Sequence, residues 1–335
     1  LKKIYYFGWP SNLGGADTKM THFLDLMCDE YEIIVTPNFD EQLKQKIWLK
    51  YLDSRNIKYK KKDLPQSLSD GISLSFCNDR FFIDGNHKLV KQRGSKLIWS
   101  TEMMWHHNGE LQAVKDGFVD KVLYTSELQR SRLFYPKTMP YSITGNYISP
   151  SFFPFKEREM TETMTIGRLS RSDKLKYPED FPVFYEQLKI PNVKYRIMAW
   201  SIDLGKKYKW FKFGKEWDLL WAEQETQSDF LQSLDLFVYP LGHNFIESWG
   251  RSTVEAMLTG AIPLVQTGHH LENLIIHNET GFVCDDILEY KEYCHKLYFD
   301  KEYRKKMSIR CNEHATNNIC NREEHKRIWR EALDV

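Results

Sequence analysis

Short β-prone runs alternate with amphipathic helical stretches along this chain, and that alternation constrains the fold more than any other feature. Lys3–Phe7 (KIYYF) reads as a strand and Gly8–Asp17 (GWPSNLGGAD) as a glycine-bearing loop. From about Thr18 to Cys28 the spacing of Met20, Phe23, Leu24 and Met27 predicts a helix with one apolar side. The unit then recurs. Tyr31–Thr36, Gly71–Phe76, Phe81–Ile83, Leu97–Ser100 and Asp120–Thr125 read as strands, Glu41–Leu52 as a helix, and Ser126 as the cap of a helix reaching Leu133. Strands separated by helices imply parallel sheets joined by right-handed crossovers.

A second series follows an interruption. Gly145–Phe155, with Pro140, Pro150 and Pro154 in or near it, reads as a linker. Beyond it, Thr163–Gly167, Lys194–Ala199, Trp210–Gly214, Leu236–Tyr239, Ala261–Val265 and Gly281–Cys284 are strand candidates. Helices are expected at Asp180–Leu188, Gln227–Leu234, Arg251–Thr259, Leu271–Ile276, Ile287–Phe299 and Tyr303–Ala315. A last helix, Glu323–Leu333, is expected to cross back to the first domain. The 335 residues suffice for two domains, here 1–150 and 151–318, with 319–335 as the returning segment. The expected fold class is α/β: two Rossmann-like, doubly wound domains.

In such sheets, ligands gather at the C-terminal ends of the strands. The stretch Phe245–Val265 (FIESWGRSTVEAMLTGAIPLV) starts as a loop after a strand and continues as a helix, with Val254, Met257 and Leu258 on its apolar face. Gly260 stands where a C-cap is expected. Glu247 precedes the helix and Glu255 lies in it; eight residues of helical rise are roughly 12 Å, too far for a close carboxylate dyad. The helix N-terminus between them suits an anion. Two carboxylates flanking an anion site suggest a nucleotide-sugar pocket. Glu247 would hold sugar hydroxyls, Glu255 ribose hydroxyls, and the amides of Ser248, Trp249, Gly250 and Arg251 the diphosphate.

Other loops at strand ends add candidates. Gly14 and Gly15 would let backbone approach a phosphate or sugar. Arg168 and Lys174, with Arg171 in reserve, follow a strand and would supply cations to a diphosphate. Phe213 and Gly214 stand where a base could lie, and His243 and Asn244 lead into Glu247. Glu102 and His106, after the strand LIWS, are acceptor- or sugar-side candidates, with His107 beside them.

Composition excludes several classes. Net charge is +1, so no global bias points to nucleic acid or membrane. The six cysteines form no CxxC pair, which argues against a zinc or redox motif and suits reduced thiols in a cytoplasmic protein. No apolar run approaches the ~20 residues of a membrane span. The chain opens directly on a strand, without a signal-peptide pattern. No DxD stands at a strand end, since Asp285-Asp286 is isolated, so no metal is called for.

The run FIESWGRSTVEAMLTGAIPLV resembles the E-x7-E signature of retaining glycosyltransferases with the GT-B fold, especially glycosyltransferase family four. NLGGAD, DKVLYTSELQRSRLF, TIGRLSRSDK and ETGFVCDD resemble further marks of that family, in the family's order. The resemblance implies two Rossmann-like domains facing a central cleft, the first for the acceptor and the second for a nucleoside diphosphate sugar, UDP-sugar above all. It implies that Gly15 approaches the donor, Arg168 and Lys174 neutralise the diphosphate, Glu247 binds the transferred sugar and Glu255 the ribose. Two departures stand out. Ser100-Thr101-Glu102 occupies the place of a family histidine, with His106 a few residues on, and Asn146-Tyr147-Ile148-Ser149 replaces the family's linker turn.

The implied reaction transfers a sugar to the hydroxyl of a glycan, lipid-linked sugar or small metabolite, with retention and no further cofactor. Its catalysis is electrostatic, by stabilising the leaving diphosphate. One alternative acceptor is modified DNA, with Lys58, Lys60, Lys61, Lys62, Arg80, Lys88, Lys91 and Arg93 along a duplex. Another alternative is a non-catalytic nucleotide-sugar-binding protein.

Overall fold

The computed structural model describes residues 1–12, 15–60 and 65–335. The chain separates into two compact units, 1–149 with 321–335, and 150–320.

In the first unit the strands are β1 (Lys3–Phe7), β2 (Glu32–Thr36), β3 (Lys58–Tyr59), β4 (Gly71–Phe76), β5 (Lys96–Ser100), β6 (Lys121–Tyr124) and β7 (Tyr141–Ile143). They form one sheet in the order β3-β2-β1-β4-β5-β6-β7, and every pairing is parallel. Strands buried on both faces must be apolar throughout, as Ile4 to Phe7 are. The helix Gly15–Met27 buries Met20, Phe23, Leu24 and Met27 on one side. The helix Arg322–Ala332 completes this core. Its Trp329 ring lies 4.6 Å from that of Phe23 and 5.6 Å from that of Phe76.

The second unit holds β8 (Met164–Leu169), β9 (Val193–Trp200), β10 (Trp217–Trp221), β11 (Leu236–Tyr239), β12 (Ile262–Gln266) and β13 (Phe282–Cys284). Their order is β10-β9-β8-β11-β12-β13, again all parallel. The direction of winding reverses between β8 and β11. Loops leaving those two strands therefore diverge and leave a crevice at their C-terminal ends.

Several local expectations are corrected. The first helix begins at Gly15, not Thr18. Phe81–Ile83 is no strand but part of the helix Asp79–Ile83, where Phe81 and Phe82 bury themselves against Trp99. Three apolar residues carry no period, so packing decides. Glu41–Leu52 breaks at Gln45, whose side-chain carbonyl accepts the Trp9 indole N–H at 2.8 Å; a 3₁₀ turn, Asp40–Lys44, precedes the helix Lys46–Asp53. Trp210–Gly214 is not a strand either. It is irregular chain after the helix Ile202–Lys207, and β10 takes the sheet edge instead. Ser126 does cap its helix, its hydroxyl accepting from the Gln129 N–H. All six cysteines are free thiols. Among the described residues no helix is long and apolar enough to cross a membrane, and no three metal-ligating side chains gather.

Candidate functional site

The loops after β8 and β11 are pinned to each other by Arg168. This side chain is fully buried. Its Nε donates to the Ser170 hydroxyl at 3.1 Å, one terminal nitrogen to the Pro240 carbonyl, and the other to the Lys176 carbonyl at 2.9 Å. The rings of Tyr177 and Tyr239 lie 4.0 and 4.4 Å from the guanidinium carbon. A buried cation is tolerated because every nitrogen has an oxygen and aromatic rings lie against the guanidinium. Arg168 thus sits inside the wall of the crevice and ties its two sides together.

Lys176 and Glu247 meet across that crevice. The ammonium is 2.8 Å from Glu247 Oε2, and the Tyr239 hydroxyl donates to the same oxygen at 3.1 Å. Oε1 takes no donor from the described residues. Burial pushes the Glu247 carboxyl up, but the Lys176 charge, the Lys176 and Tyr239 hydrogen bonds and His269 outweigh it, leaving it below the ordinary carboxylate range. Burial likewise lowers Lys176, and the charge of Glu247 outweighs that, so its value ends above the ordinary one. The pair is ionised across the neutral range.

The Glu247 backbone is held on both sides. Its N–H donates to His269 Nδ1 at 3.2 Å, and its carbonyl accepts from the His270 N–H at 3.3 Å. A ring nitrogen that accepts carries no proton, so His269 is neutral with its proton on Nε2. Burial depresses the His269 pKa, consistent with that tautomer.

Two glycines let the loops close. At Gly242 an added Cβ would stand 2.0 Å from the Leu175 carbonyl, so backbone meets backbone there, and its N–H donates to the Lys176 carbonyl at 3.2 Å. Gly250 caps the helix Arg251–Thr259 at φ +94°, a left-handed conformation, and a Cβ there would meet Leu271 at 2.1 Å. The first turn of a helix has N–H groups without intrahelical acceptors, and its end of the macrodipole is positive. Glu255 lies on this helix, nearly buried, with Arg251 at 3.5 Å. Burial pushes its carboxyl up despite Arg251. Trp249 is buried and Ser248 half-buried.

The remaining expected residues fall elsewhere. Lys174 is exposed, 3.5 Å from Asp203, while Lys176, two residues on, takes the inward position. Arg171 is exposed, as are His243 and Asn244 in the loop ahead of Glu247. Phe213 packs on Trp200, Phe211 and Trp217, and a Cβ at Gly214 would run into the Glu216 carboxylate at 2.3 Å.

In the first unit, Gly15 opens its helix exposed, and Gly14 lies outside the described residues. Glu102 is committed internally. It accepts the ammonium of Lys19 at 2.7 Å, with both side chains at least nine-tenths buried. That ammonium also reaches Ser100 and Thr144 at 3.4 Å and lies over the rings of Phe76 and Trp329. Both nitrogens of His106 are occupied, Nδ1 by Glu110 at 3.4 Å and Nε2 by the Phe134 N–H at 3.2 Å. His107 Nε2 lies 3.1 Å from Cys77 Sγ. Lys58, Arg80 and Lys91 are paired with Glu32, Asp84 and Asp120, and Arg93 donates to the Pro65 carbonyl. Lys61 and Lys62 lie outside the described residues. The described cations of this group are thus engaged by local oxygens, apart from the surface lysines Lys60 and Lys88.

Sequence reasoning passed over Lys176, Tyr239 and His269. The first two stand close to residues it chose: a neighbour in the same basic loop, and the last residue of β11. His269 follows β12, the next strand end along the same edge.

No protein-family model matches this chain, and no curated protein sequence is similar to it. Solved structures are. The fold is similar to that of Anabaena HepE in complex with UDP-glucose, at 12% identity, over 99% of this chain and 100% of that one, with a TM-score of 0.74. It is similar to TarM, at 11% identity, over 100% and 99% of the two chains, with a TM-score of 0.77. A glycosyltransferase from Rickettsia africae aligns at 12% identity over 99% and 98%, with a TM-score of 0.72. At such identities the likeness is one of fold: the chain has the two-domain GT-B architecture.

Proposed function

We propose that this GT-B chain is a retaining glycosyltransferase that moves a sugar from a nucleoside diphosphate sugar, UDP-sugar first, to an acceptor hydroxyl of a glycan, lipid-linked sugar or small metabolite. The observation that carries the reading is the placement of Glu247. Its carboxylate is held by Lys176 at 2.8 Å, at the reversal of the second sheet and four residues ahead of a helix N-terminus. UDP-glucose bound to a structure of the same fold supports the choice of donor.

In this reading the diphosphate lies against the amides of Ser248–Arg251, and Lys176 faces it while keeping Glu247 ionised. Lys176 takes the role first expected of Lys174. Arg168 acts as a positioning residue through its bonds to the Pro240 and Lys176 carbonyls. Glu247 offers Oε1 to hydroxyls of the transferred sugar, and Glu255 receives the ribose. As the glycosidic bond breaks, negative charge collects on the diphosphate, and fixed N–H dipoles and the Lys176 ammonium stabilise it without reorganising. The departing phosphate accepts the acceptor's proton on the same face, so configuration is retained and no enzymic nucleophile is required.

The test is a panel of UDP-, GDP- and ADP-sugars scored by thermal shift and donor turnover. A true donor at 100-fold excess over its Kd should add about 2.7 kcal/mol to the free energy of unfolding. Lys176→Ala and Glu247→Ala should each abolish that gain. If no nucleotide sugar stabilises the parent protein, the reading fails.

A further inference from the structure

One stretch of the second unit takes no part in the site just described. Between β9 and β10 the chain reads KKYKWFKFGK over residues 206–215, five lysines interleaved with four aromatic side chains. Tyr208, Phe211 and Phe213 are turned into the core. Trp210 is not: it is 56% exposed, and Ile202 and Leu175 nearby are 64% and 60% exposed. Ile202 opens a helix, Trp210 follows three residues after its end, and Leu175 lies in a turn fastened to that helix. Lys207 donates to the Lys174 carbonyl at 2.8 Å and the Tyr177 carbonyl at 2.7 Å, which ties the helix Ile202–Lys207 to the 3₁₀ turn Lys174–Lys176. The Lys174–Asp203 contact at 3.5 Å fastens the same two elements.

Around these apolar side chains the lysines outnumber the carboxylates that could neutralise them. Lys207 is used up by Glu179 at 2.8 Å and by the two carbonyls. Lys206, Lys209, Lys212 and Lys215 are exposed and hold no ion pair among the described residues. Of the nearby carboxylates, Asp203 is taken by Lys174, Glu179 by Lys207 and Asp173 by the Leu175 N–H, while Glu216 is half-buried and Asp180 exposed. The whole chain carries a net charge of only +1, so this concentration is local.

We propose that this surface docks on an anionic lipid bilayer, with Trp210, Ile202 and Leu175 entering the headgroup layer and the four lysines resting on lipid phosphates. Two features favour a bilayer over a nucleic acid. The exposed apolar groups are two aliphatic side chains and one indole, which suit an acyl boundary; aliphatic chains offer nothing to stack on a base. The cations are all lysines, which act as point charges on a diffuse anionic surface and lack the bidentate fork of arginine. The proposal is independent of donor chemistry, because vesicle binding needs no turnover.

The experiment is co-sedimentation of the full chain with vesicles of phosphatidylcholine alone or with 30% phosphatidylglycerol, at 50 and 300 mM salt, with heparin and a DNA duplex as soluble polyanions. Binding to the anionic vesicles at 50 mM salt, at least tenfold tighter than to phosphatidylcholine, is expected. Trp210→Ser with Ile202→Ser should weaken it tenfold or more with every lysine intact, and Lys206→Gln, Lys209→Gln and Lys212→Gln together should do the same. All five positions are exposed, so folding is checked by an unchanged unfolding midpoint. Absence of binding to anionic vesicles overturns the proposal. So does equal binding to both vesicle types, or binding that the serine pair leaves unchanged, which would be adsorption of charge alone. Binding to DNA or heparin without binding to vesicles overturns it in favour of a soluble polyanion.

Discussion

The ammonium of Lys176 lies 2.8 Å from Glu247 Oε2, and neither side chain is more than 13% exposed. Their loops leave neighbouring strands of one sheet, so the pair spans the reversal point and joins its two sides by charge. Breaking a buried pair strands the partner, which typically costs about 3–5 kcal/mol. Lys176→Ala should therefore unfold at clearly lower urea concentration. Lys174→Ala, which removes only an exposed contact to Asp203, should stay within about 0.5 kcal/mol of the parent. Equal losses for the two variants would show that the inward lysine has been misassigned.

Glu247 also sets a dependence on pH. Its folded pKa lies below the ordinary 4.5, so the folded state binds fewer protons than the unfolded one in the window below that value. The stabilisation is fully present above 4.5 and is lost as the pH falls toward the depressed folded value. His269 acts in the same direction at higher pH. Buried and neutral, with a pKa below 6.5, it withdraws stability as the pH falls from 6.5 toward its folded value. Urea titrations of the parent and Glu247→Gln should differ most at pH 7, and the gap should narrow steadily as the pH falls below 4.5. A gap that persists there would mean that the carboxylate charge is not what Lys176 holds.

Gly242 tests how closely the two loops must approach. Its Cα faces the Leu175 carbonyl, and a methyl group would stand 2.0 Å from that oxygen. Neither neighbour is a flexible side-chain end, so the backbone must separate. Gly242→Ala should lose about 1–3 kcal/mol and, by drawing Lys176 away from Glu247, lose binding of any nucleotide sugar. Calorimetry with the best donor of the panel checks the second part. Unchanged affinity would uncouple the loops from the site.

Glu102 calls for a stability measurement before any kinetic one. Glu102→Gln leaves the Lys19 ammonium buried without its counter-charge and should cost about 3 kcal/mol or more. Lys19→Met combined with Glu102→Leu replaces both charges with apolar volume and should recover to within about 2 kcal/mol of the parent. Activity retained in that double variant would mark Glu102 as part of the core. Activity lost in a stable double variant would return it to the acceptor side.

Strand ends and the helix at 251 were legible because their signals are local: apolar runs of four to six residues, and a helix period closed by Gly260. The two misread strands share one cause. Phe81–Ile83 and Trp210–Gly214 are apolar or aromatic runs too short to carry a period, and burial against Trp99 or Trp217 suits a helix or a turn as well as a strand. In the candidate site, residue type pointed to the basic loop after β8 but not to which of its lysines turns inward. A 3₁₀ turn from Lys174 to Lys176 decides which lysine points inward, and no property of the two side chains distinguishes them. Arg168 read as a cation for the diphosphate because it opens a basic loop directly after a strand, yet its side chain is buried. Its acceptors are the Ser170 hydroxyl and the carbonyls at positions 176 and 240, the last 72 residues away and beyond any local pattern.

The helix Arg322–Ala332 belongs to the unit formed by residues 1–149, although the whole of 150–320 is made before it. On a ribosome the first sheet emerges early, yet Phe23 and Phe76 wait for Trp329. The inserted unit is contiguous and can close its own core first, so the amino-terminal half is the last to mature. Through that interval its unfinished apolar face is the surface that a nascent-chain chaperone would meet.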